Sequence, residues 1–143
     1  MKNANQLCGF LLCIIISASC SKSNNSINSN PAKISSTLIQ GNWKISLFKE
    51  NQMDETSIFK FYSFTFSNSG NVSVQSTTKT QSGSWKILVD DSQEKLQLDF
   101  TNQEPLRELN EDWEILEATT NKIRLQHISG GNGTIDFVIF EKN

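Results

Sequence analysis

Residues 41–47 read Gly-Asn-Trp-Lys-Ile-Ser-Leu, with an apolar side chain at every second position from Trp43 onward. Successive side chains of a β-strand point to opposite faces of the sheet, so this spacing predicts a strand with one apolar and one polar face. Gly41 allows the chain to bend into the strand. We therefore expect Trp43 and Ile45 to share a buried face.

The same two-residue period recurs along the rest of the chain, and turn-forming residues interrupt it roughly every ten positions. The clearest turn is at residues 68–71, Asn-Ser-Gly-Asn, which favour a hairpin. Residues 106–112 allow a helical turn, and residues 53–59 form either a short helix or a loop. The pattern predicts an up-and-down meander of eight strands, at residues 41–47, 62–66, 72–74, 85–89, 96–100, 113–115, 123–127 and 135–140.

A sheet with one apolar face must cover that face, and the predicted domain, residues 37–143, is too short for a second layer with helices. Closing the sheet on itself buries the face and removes exposed edges at the same time. We therefore predict an all-β domain, an antiparallel meander of about eight strands closed into a barrel. The alternative is an open curled sheet or a small sandwich.

The predicted inner face carries no charged side chain. An eight-stranded barrel is just wide enough either to be filled by its side chains or to hold one small molecule. A packed core and an apolar pocket are therefore both possible interpretations of this face. On the same alternation, Leu88, Leu116, Val138 and Phe140 are expected to face outward. The predicted inner face consists of Trp43, Ile45, Leu47, Tyr62, Phe64, Phe66, Val72, Val74, Trp85, Ile87, Val89, Leu96, Leu98, Phe100, Trp113, Ile115, Ile123, Leu125, Ile135, Phe137 and Ile139.

The pattern Gly-x-Trp-Lys-Ile occurs twice, at residues 41–45 and 83–87, and Trp113-Glu-Ile repeats its second half. Two copies are too few for a repeat architecture. We interpret each copy as the start of a strand at which the Trp side chain closes an end of the barrel.

Composition argues against several classes of function. The 13 Lys and Arg residues against 15 Asp and Glu give a net charge of -2, whereas nucleic-acid binders usually carry a basic excess. One His and three Cys leave almost no metal-ligand set or nucleophile–base pair. We expect no catalytic residue, no metal site, no cofactor, no nucleic-acid partner and no enzyme activity.

The remaining polar residues that could bind an ion are interpreted as surface, cap or turn residues. His127 is interpreted as a surface or cap residue near a strand end. The acidic pairs at 54–55, 90–91 and 111–112 lack the alternating ligand spacing of a calcium-binding loop, so they are interpreted as solvated turn residues.

Residues 1–19 have the features of a secretory signal peptide: Lys2, an apolar run at 7–16, and the small residues 17–19. A transmembrane anchor would need roughly 20 apolar residues, about twice the length of this run. Residues 20–36 are rich in Ser and Asn and predict a flexible tether.

Residues 16–20, Ile-Ser-Ala-Ser-Cys, resemble the lipobox of bacterial lipoproteins. The resemblance implies that Cys20 is acylated, for example with palmitate, and becomes the first residue of the mature protein, which the lipid holds at a membrane. No Asp follows Cys20, which in that family favours the outer membrane; the leaflet stays open. The alternative is a secreted protein that is cut before Cys20 and carries no lipid.

Gly41-x-Trp43 in the first predicted strand, followed by a short meander, resembles the lipocalin group. More closely it resembles the short lipocalin-like domain of Gram-negative lipoproteins. That domain begins with the pattern Leu-x-Gly-x-Trp-x-Ile, and the residues of this sequence that match it are Leu38 or Ile39, Gly41, Trp43 and Ile45. The second lipocalin motif, Thr-Asp-Tyr, is absent from this sequence.

Two functions follow from this resemblance. The first is carriage of a small apolar ligand in the barrel, contacted by Trp43, Tyr62, Phe64, Trp85 and Trp113. The second is a packed structural or interaction module whose loops or outer face bind an envelope protein or glycan. An enclosed void of a few hundred Å³ would favour carriage, and a filled interior would favour the module.

Overall fold

The computed structural model describes residues 30–131 and 133–143, and over these residues it is an antiparallel β-barrel. The described elements are α1 (Pro31–Leu38), β1 (Asn42–Glu50), β2 (Met53–Asp54), a 3₁₀ helix (Thr56–Phe59), β3 (Ser63–Phe66), β4 (Asn71–Gln75), β5 (Thr80–Asp90), β6 (Gln93–Asp99), a second 3₁₀ helix (Leu106–Leu109), β7 (Asp112–Ala118), β8 (Lys122–Ile128) and β9 (Ile135–Lys142). None of the described helices is long and apolar enough to cross a membrane.

The sheet is closed by hydrogen bonding between its first long strand and its last. The strand order is β2-β1-β3-β4-β5-β6-β7-β8-β9, and β9 pairs in addition with β1, from Trp43 opposite Lys142 to Lys49 opposite Phe137. Among the described strands, only the two-residue β2 lies outside the ring, beside the end of β1. The predicted eight-stranded closed meander is therefore confirmed, and the alternatives of an open sheet or a sandwich are wrong.

The barrel has two ends with different coverings. At one end, called the α1 end, α1 leads into β1 and the hairpins β3–β4, β5–β6 and β7–β8 turn. At the far end lie both 3₁₀ helices and the connections β4–β5 and β8–β9. Phe59, Leu106 and Leu109 of the 3₁₀ helices are buried in the same core as the strands, so the far end is covered as well.

Helix α1 begins inside the segment that the sequence predicts as a tether. Asn30 caps it by accepting a 3.0 Å hydrogen bond from the Ala32 N–H, and a proline stands in its first turn, where no N–H is needed. Ile34 and Leu38, four residues apart and so on one helix face, are both buried. The prediction of a flexible tether as far as Ser36 is wrong from residue 31 onward. The predicted signal peptide, Cys20 and residues 20–29 lie outside the described residues.

The predicted alternation fails in two strands. A β-bulge between Ile45 and Leu47 shifts the register of β1, so Phe48 is buried and Leu47 only half-buried. In β9, Val138 and Phe140 are buried, whereas Ile135 is 41% exposed. Residues 137–140 of β9 are all apolar, so the sequence alone leaves its inner face undetermined.

Other predicted inner residues are less buried than expected. Val89 is 65% exposed because the end of β5 pairs only with β6 in a two-stranded arm. Tyr62, Ile87, Ile115, Phe137 and Ile139 are half-buried. The expectation that Val138 and Phe140 face outward is wrong, because both are buried in the core, while Leu88 and Leu116 are half-buried.

The second copy of the Gly-x-Trp pattern lies inside β5 instead of at its start, so the strand-start prediction is wrong there. A steric constraint explains why glycine occupies position 83 in this copy. A Cβ on Gly83 would lie 2.5 Å from the backbone oxygen of Asp99 and 2.5 Å from Cδ1 of Phe100. Gly83 thus lets β6 and the buried Phe100 ring approach closely.

Replacing Gly83 by Ala should lower the free energy of unfolding by about 1–3 kcal/mol, because backbone atoms and a core ring must move. Urea denaturation followed by tryptophan fluorescence measures the change. Gly131→Ala is the matched control, since a Cβ there meets no atom within 4 Å. Equal effects of the two substitutions would contradict the steric role of Gly83.

Candidate functional site

The side chains that the sequence proposes as ligand contacts lie mostly inside the barrel. Trp43 and Phe64 are fully buried, Trp113 is 1% exposed and Trp85 is 8% exposed. Tyr62 is half-buried at the far end, where its ring meets that of Phe59 edge to face at 5.9 Å. Four of the five residues therefore belong to the core, and Tyr62 lies at its edge.

Aromatic rings fill the middle of the barrel by contacting one another. The ring of Phe64 packs edge to face against Phe140 at 5.3 Å and against Phe100 at 6.4 Å. Phe66 makes the same kind of contact with Phe140 at 5.9 Å and with Trp85 at 5.7 Å. This edge-to-face geometry is favoured for aromatic pairs. The side chains that were predicted to contact a ligand therefore contact other side chains of the core.

Each tryptophan also fastens a covering segment to the barrel. An indole N–H that is buried needs an acceptor, and in all three cases the acceptor is a backbone carbonyl oxygen outside the strand that carries the tryptophan. The segments held are the end of α1, the β3–β4 hairpin and the second 3₁₀ helix. The donor–acceptor pairs are Trp43 with Leu38 at 2.8 Å, Trp85 with Ser67 at 3.1 Å, and Trp113 with Leu109 at 3.0 Å.

Two cavities in the described part of the chain lie on the outside of the barrel. The larger, here called the β5–β6 groove, has a volume of about 550 Å³ and is open to solvent. Its lining is mainly polar, with hydroxyl, amide and charged groups, and one tryptophan at its edge. The lining residues are Ser69, Gly70, Ser84, Trp85, Lys86, Gln97, Leu98, Asp99 and Asn110.

The smaller cavity, here called the His127 pocket, has a volume of about 200 Å³ and lies over β6, β7 and β8 near the far end. Its lining residues are Lys95, Asp112, Glu114, Gln126, His127 and Ile128. Within it, Gln126 donates a hydrogen bond to the Glu114 carboxylate across the β7–β8 pair.

The His127 pocket brings an acidic pair that was predicted to lie in a solvated turn next to His127, which was predicted to be a surface or cap residue near a strand end. Nε2 of His127 lies 3.7 Å from Oε2 of Glu111, and Nδ1 lies 3.9 Å from Oδ1 of Asp112. The imidazole packs edge to face on Trp113 at 6.0 Å, and 20% of the side chain is exposed. Pairing of β7 with β8 produces this cluster, and no local motif signals it.

Lys95 links this cluster to the β5–β6 hairpin. Its ammonium group donates to Oδ2 of Asp90 at 2.9 Å and to Oδ2 of Asp112 at 3.1 Å. Hydrogen bonds to Asp90, and then to Asp112, raise the pKa of Lys95. Lys95 thus fixes one oxygen of Asp112 and leaves the other facing His127.

The far end also gathers carboxylates around the last residue of β1. Burial and the negative charge of its neighbours raise the pKa of Glu50 above 4.5, since both disfavour the ionised carboxylate. The neighbours responsible, in order of effect, are Glu108, Asp136, Glu55 and Glu111. The far end therefore carries an excess of negative charge beside the His127 pocket.

Comparison with known proteins supports the fold and no specific activity. No protein-family model matches the chain, and no curated protein matches it. Among solved structures, it is similar to a DUF4847 family protein from Bacteroides vulgatus ATCC 8482, with a TM-score of 0.50 and 16% sequence identity, covering 74% of this chain and 94% of that chain. At this identity the likeness shows a shared β-barrel fold alone.

Replacing Glu50 by Gln should stabilise the domain near neutral pH. Because the folded-state pKa is raised, the stabilising contribution of Glu50 is present below its ordinary value of 4.5 and is lost as the pH rises through the folded-state value. We expect a higher Tm than the parent at about pH 7 and the same Tm at about pH 3, where both side chains are neutral. Glu141→Gln, on β9 at the α1 end and away from the carboxylates around Glu50, is the control and should not raise the Tm at about pH 7.

Proposed function

We propose that this chain is a lipid-anchored domain of a bacterial cell envelope that acts as a packed interaction module through its outer surface. The observation that carries the proposal is the filled barrel, whose predicted ligand contacts are used by its own core. An envelope protein or glycan is the expected partner class.

The interior argues against carriage of an apolar ligand. A site for a small molecule usually offers about 300–1,000 Å³ of largely pre-formed space. Here Trp43, Phe64 and Trp113 belong to the buried core and are at most 1% exposed. α1 covers one end, and two 3₁₀ helices cover the other. A guest of that size would have to displace several buried rings, each of which contributes about 3–5 kcal/mol to stability.

The outer surface offers more suitable space. The β5–β6 groove is open, has a volume of about 550 Å³ and presents the hydroxyl group of Ser84 and the amide group of Gln97, beside one cation and one anion, Lys86 and Asp99. The hydroxyl and amide groups donate and accept hydrogen bonds without a net charge. Their presence favours a polar partner, such as a sugar chain or an extended peptide.

The anchor rests on the resemblance of residues 16–20 to a lipobox, which assigns acylation to Cys20. The remaining cysteines, Cys8 and Cys13, precede the expected cleavage site. The outer membrane is the proposed destination, because no Asp follows Cys20.

Changing Cys20 to Ala should move the protein from the membrane fraction to the soluble or unprocessed fraction and remove the mass of the acyl groups. Fractionation of cells that produce the full chain, with mass spectrometry of the product, measures both effects. Cys13→Ala is the control and should remain membrane-bound. Acyl groups that persist in Cys20→Ala, or a parent chain that carries none, would contradict the anchor proposal.

Native mass spectrometry after mild detergent extraction should show the acylated chain with no stoichiometric apolar molecule bound. Phe64→Ala provides a positive control, because an apolar cavity of this kind binds benzene or xenon. We expect the altered barrel to take up benzene and the parent barrel to take up none. A co-purifying small molecule held by the parent would support carriage instead.

A further inference from the structure

Two carboxylates and one imidazole converge at the rim of the His127 pocket. Glu111 and Asp112 stand at the beginning of β7, and His127 stands on the neighbouring strand β8. One ligand atom from each residue lies within 4.8 Å of the other two. These are the atom types that bind zinc and related divalent ions in proteins.

The separations in this cluster are too long for hydrogen bonds. Nε2 of His127 lies 3.7 Å from Glu111 and Nδ1 lies 3.9 Å from Asp112, both beyond the usual range of an N–H···O bond. The two carboxylates thus face opposite nitrogens of the ring, and an ion bound to one nitrogen uses only one of these two separations. Bonds of about 2.0–2.1 Å in tetrahedral geometry place two zinc ligands about 3.3–3.4 Å apart. The set with one atom from each residue spans up to 4.8 Å, so the side chains must rotate toward the ion on binding.

Neighbouring contacts hold two of the three side chains in place. The edge-to-face contact with Trp113 restrains the ring of His127. Lys95 binds Oδ2 of Asp112, which leaves Oδ1 directed at the imidazole. Contacts of this kind, outside the ligands themselves, orient ligands in metal sites. Because Lys95 also pairs with Asp90, part of its positive charge is already balanced.

The electrostatic surroundings favour a cation. Glu114 lines the same pocket, and Glu108 and Glu50 lie toward the far end near Glu111. Carboxylates gathered in this way repel one another, and a divalent ion would relieve that repulsion.

We propose that Glu111, Asp112 and His127 bind one divalent transition-metal ion, of which Zn²⁺ is the representative, with water completing its coordination. The ion bonds one ring nitrogen of His127 and one oxygen of each carboxylate. The site joins the end of the β6–β7 connection to the end of β8, and it is separate from the β5–β6 groove.

The test uses the full chain without a histidine tag, with Cys8, Cys13 and Cys20 changed to Ser so that thiolates cannot bind zinc. His127 is the sole histidine in the sequence, so its ring protons are identified in a proton NMR spectrum without assignment. Titration with ZnCl₂ should shift these signals and saturate at one equivalent. Isothermal titration calorimetry measures the affinity in parallel.

Glu111→Gln, Asp112→Asn and His127→Gln should each weaken zinc binding about tenfold or more. Glu117→Gln is the matched control, because Glu117 lies on the same strand β7 outside the pocket and pairs with Arg124 at 3.7 Å; it should leave the affinity within about twofold. Ring signals of His127 that stay unmoved at millimolar zinc would overturn the proposal, as would binding that survives in His127→Gln. If a variant fails to fold, the NMR titration of the parent decides alone.

Discussion

Hydrogen bonding between β1 and β9 is the constraint from which the rest of the architecture follows. Once these strands pair, the apolar face of the sheet becomes an interior, and only its two ends remain to be covered. Three indole N–H groups then hold covering segments in place, because a buried donor without an acceptor would cost about 1–3 kcal/mol. The tryptophans that resemble a ligand-binding signature thus act as fasteners of a closed core.

Period-two alternation was sufficient to predict the meander, its closure and most of the inner face. It failed where the alternation carries no information. The bulge between Ile45 and Leu47 transfers burial to Phe48, and the apolar run in β9 fits either face. Helix α1 was missed because two apolar residues in a Ser-rich segment give little periodicity, although Asn30-Pro31 is a typical helix start.

The candidate site shows a different limit of sequence reasoning. Counting a single histidine made a metal site improbable, and Glu111-Asp112 is separated from His127 by a full hairpin. Only the register of β7 against β8, with Glu114 opposite Gln126, brings them together. Pairing between distant segments produces no pattern in the local sequence. The buried residues of a strand do produce one, because an apolar residue recurs at every second position. The grouping of polar side chains on the outer surface could therefore not be predicted from the sequence, and only the structure shows it.

The adjacency of β1 and β9 also determines how the barrel responds to tension. Trp43 pairs with Lys142, so the start of β1 and the end of β9 lie side by side at the α1 end. A pull on these two points acts along the hydrogen bonds, which run perpendicular to antiparallel strands. The hydrogen bonds between β1 and β9 would then break one after another, whereas shearing of the two strands would require them to break together. A domain pulled at the start of β1 and at the end of β9 is, in this direction, mechanically soft.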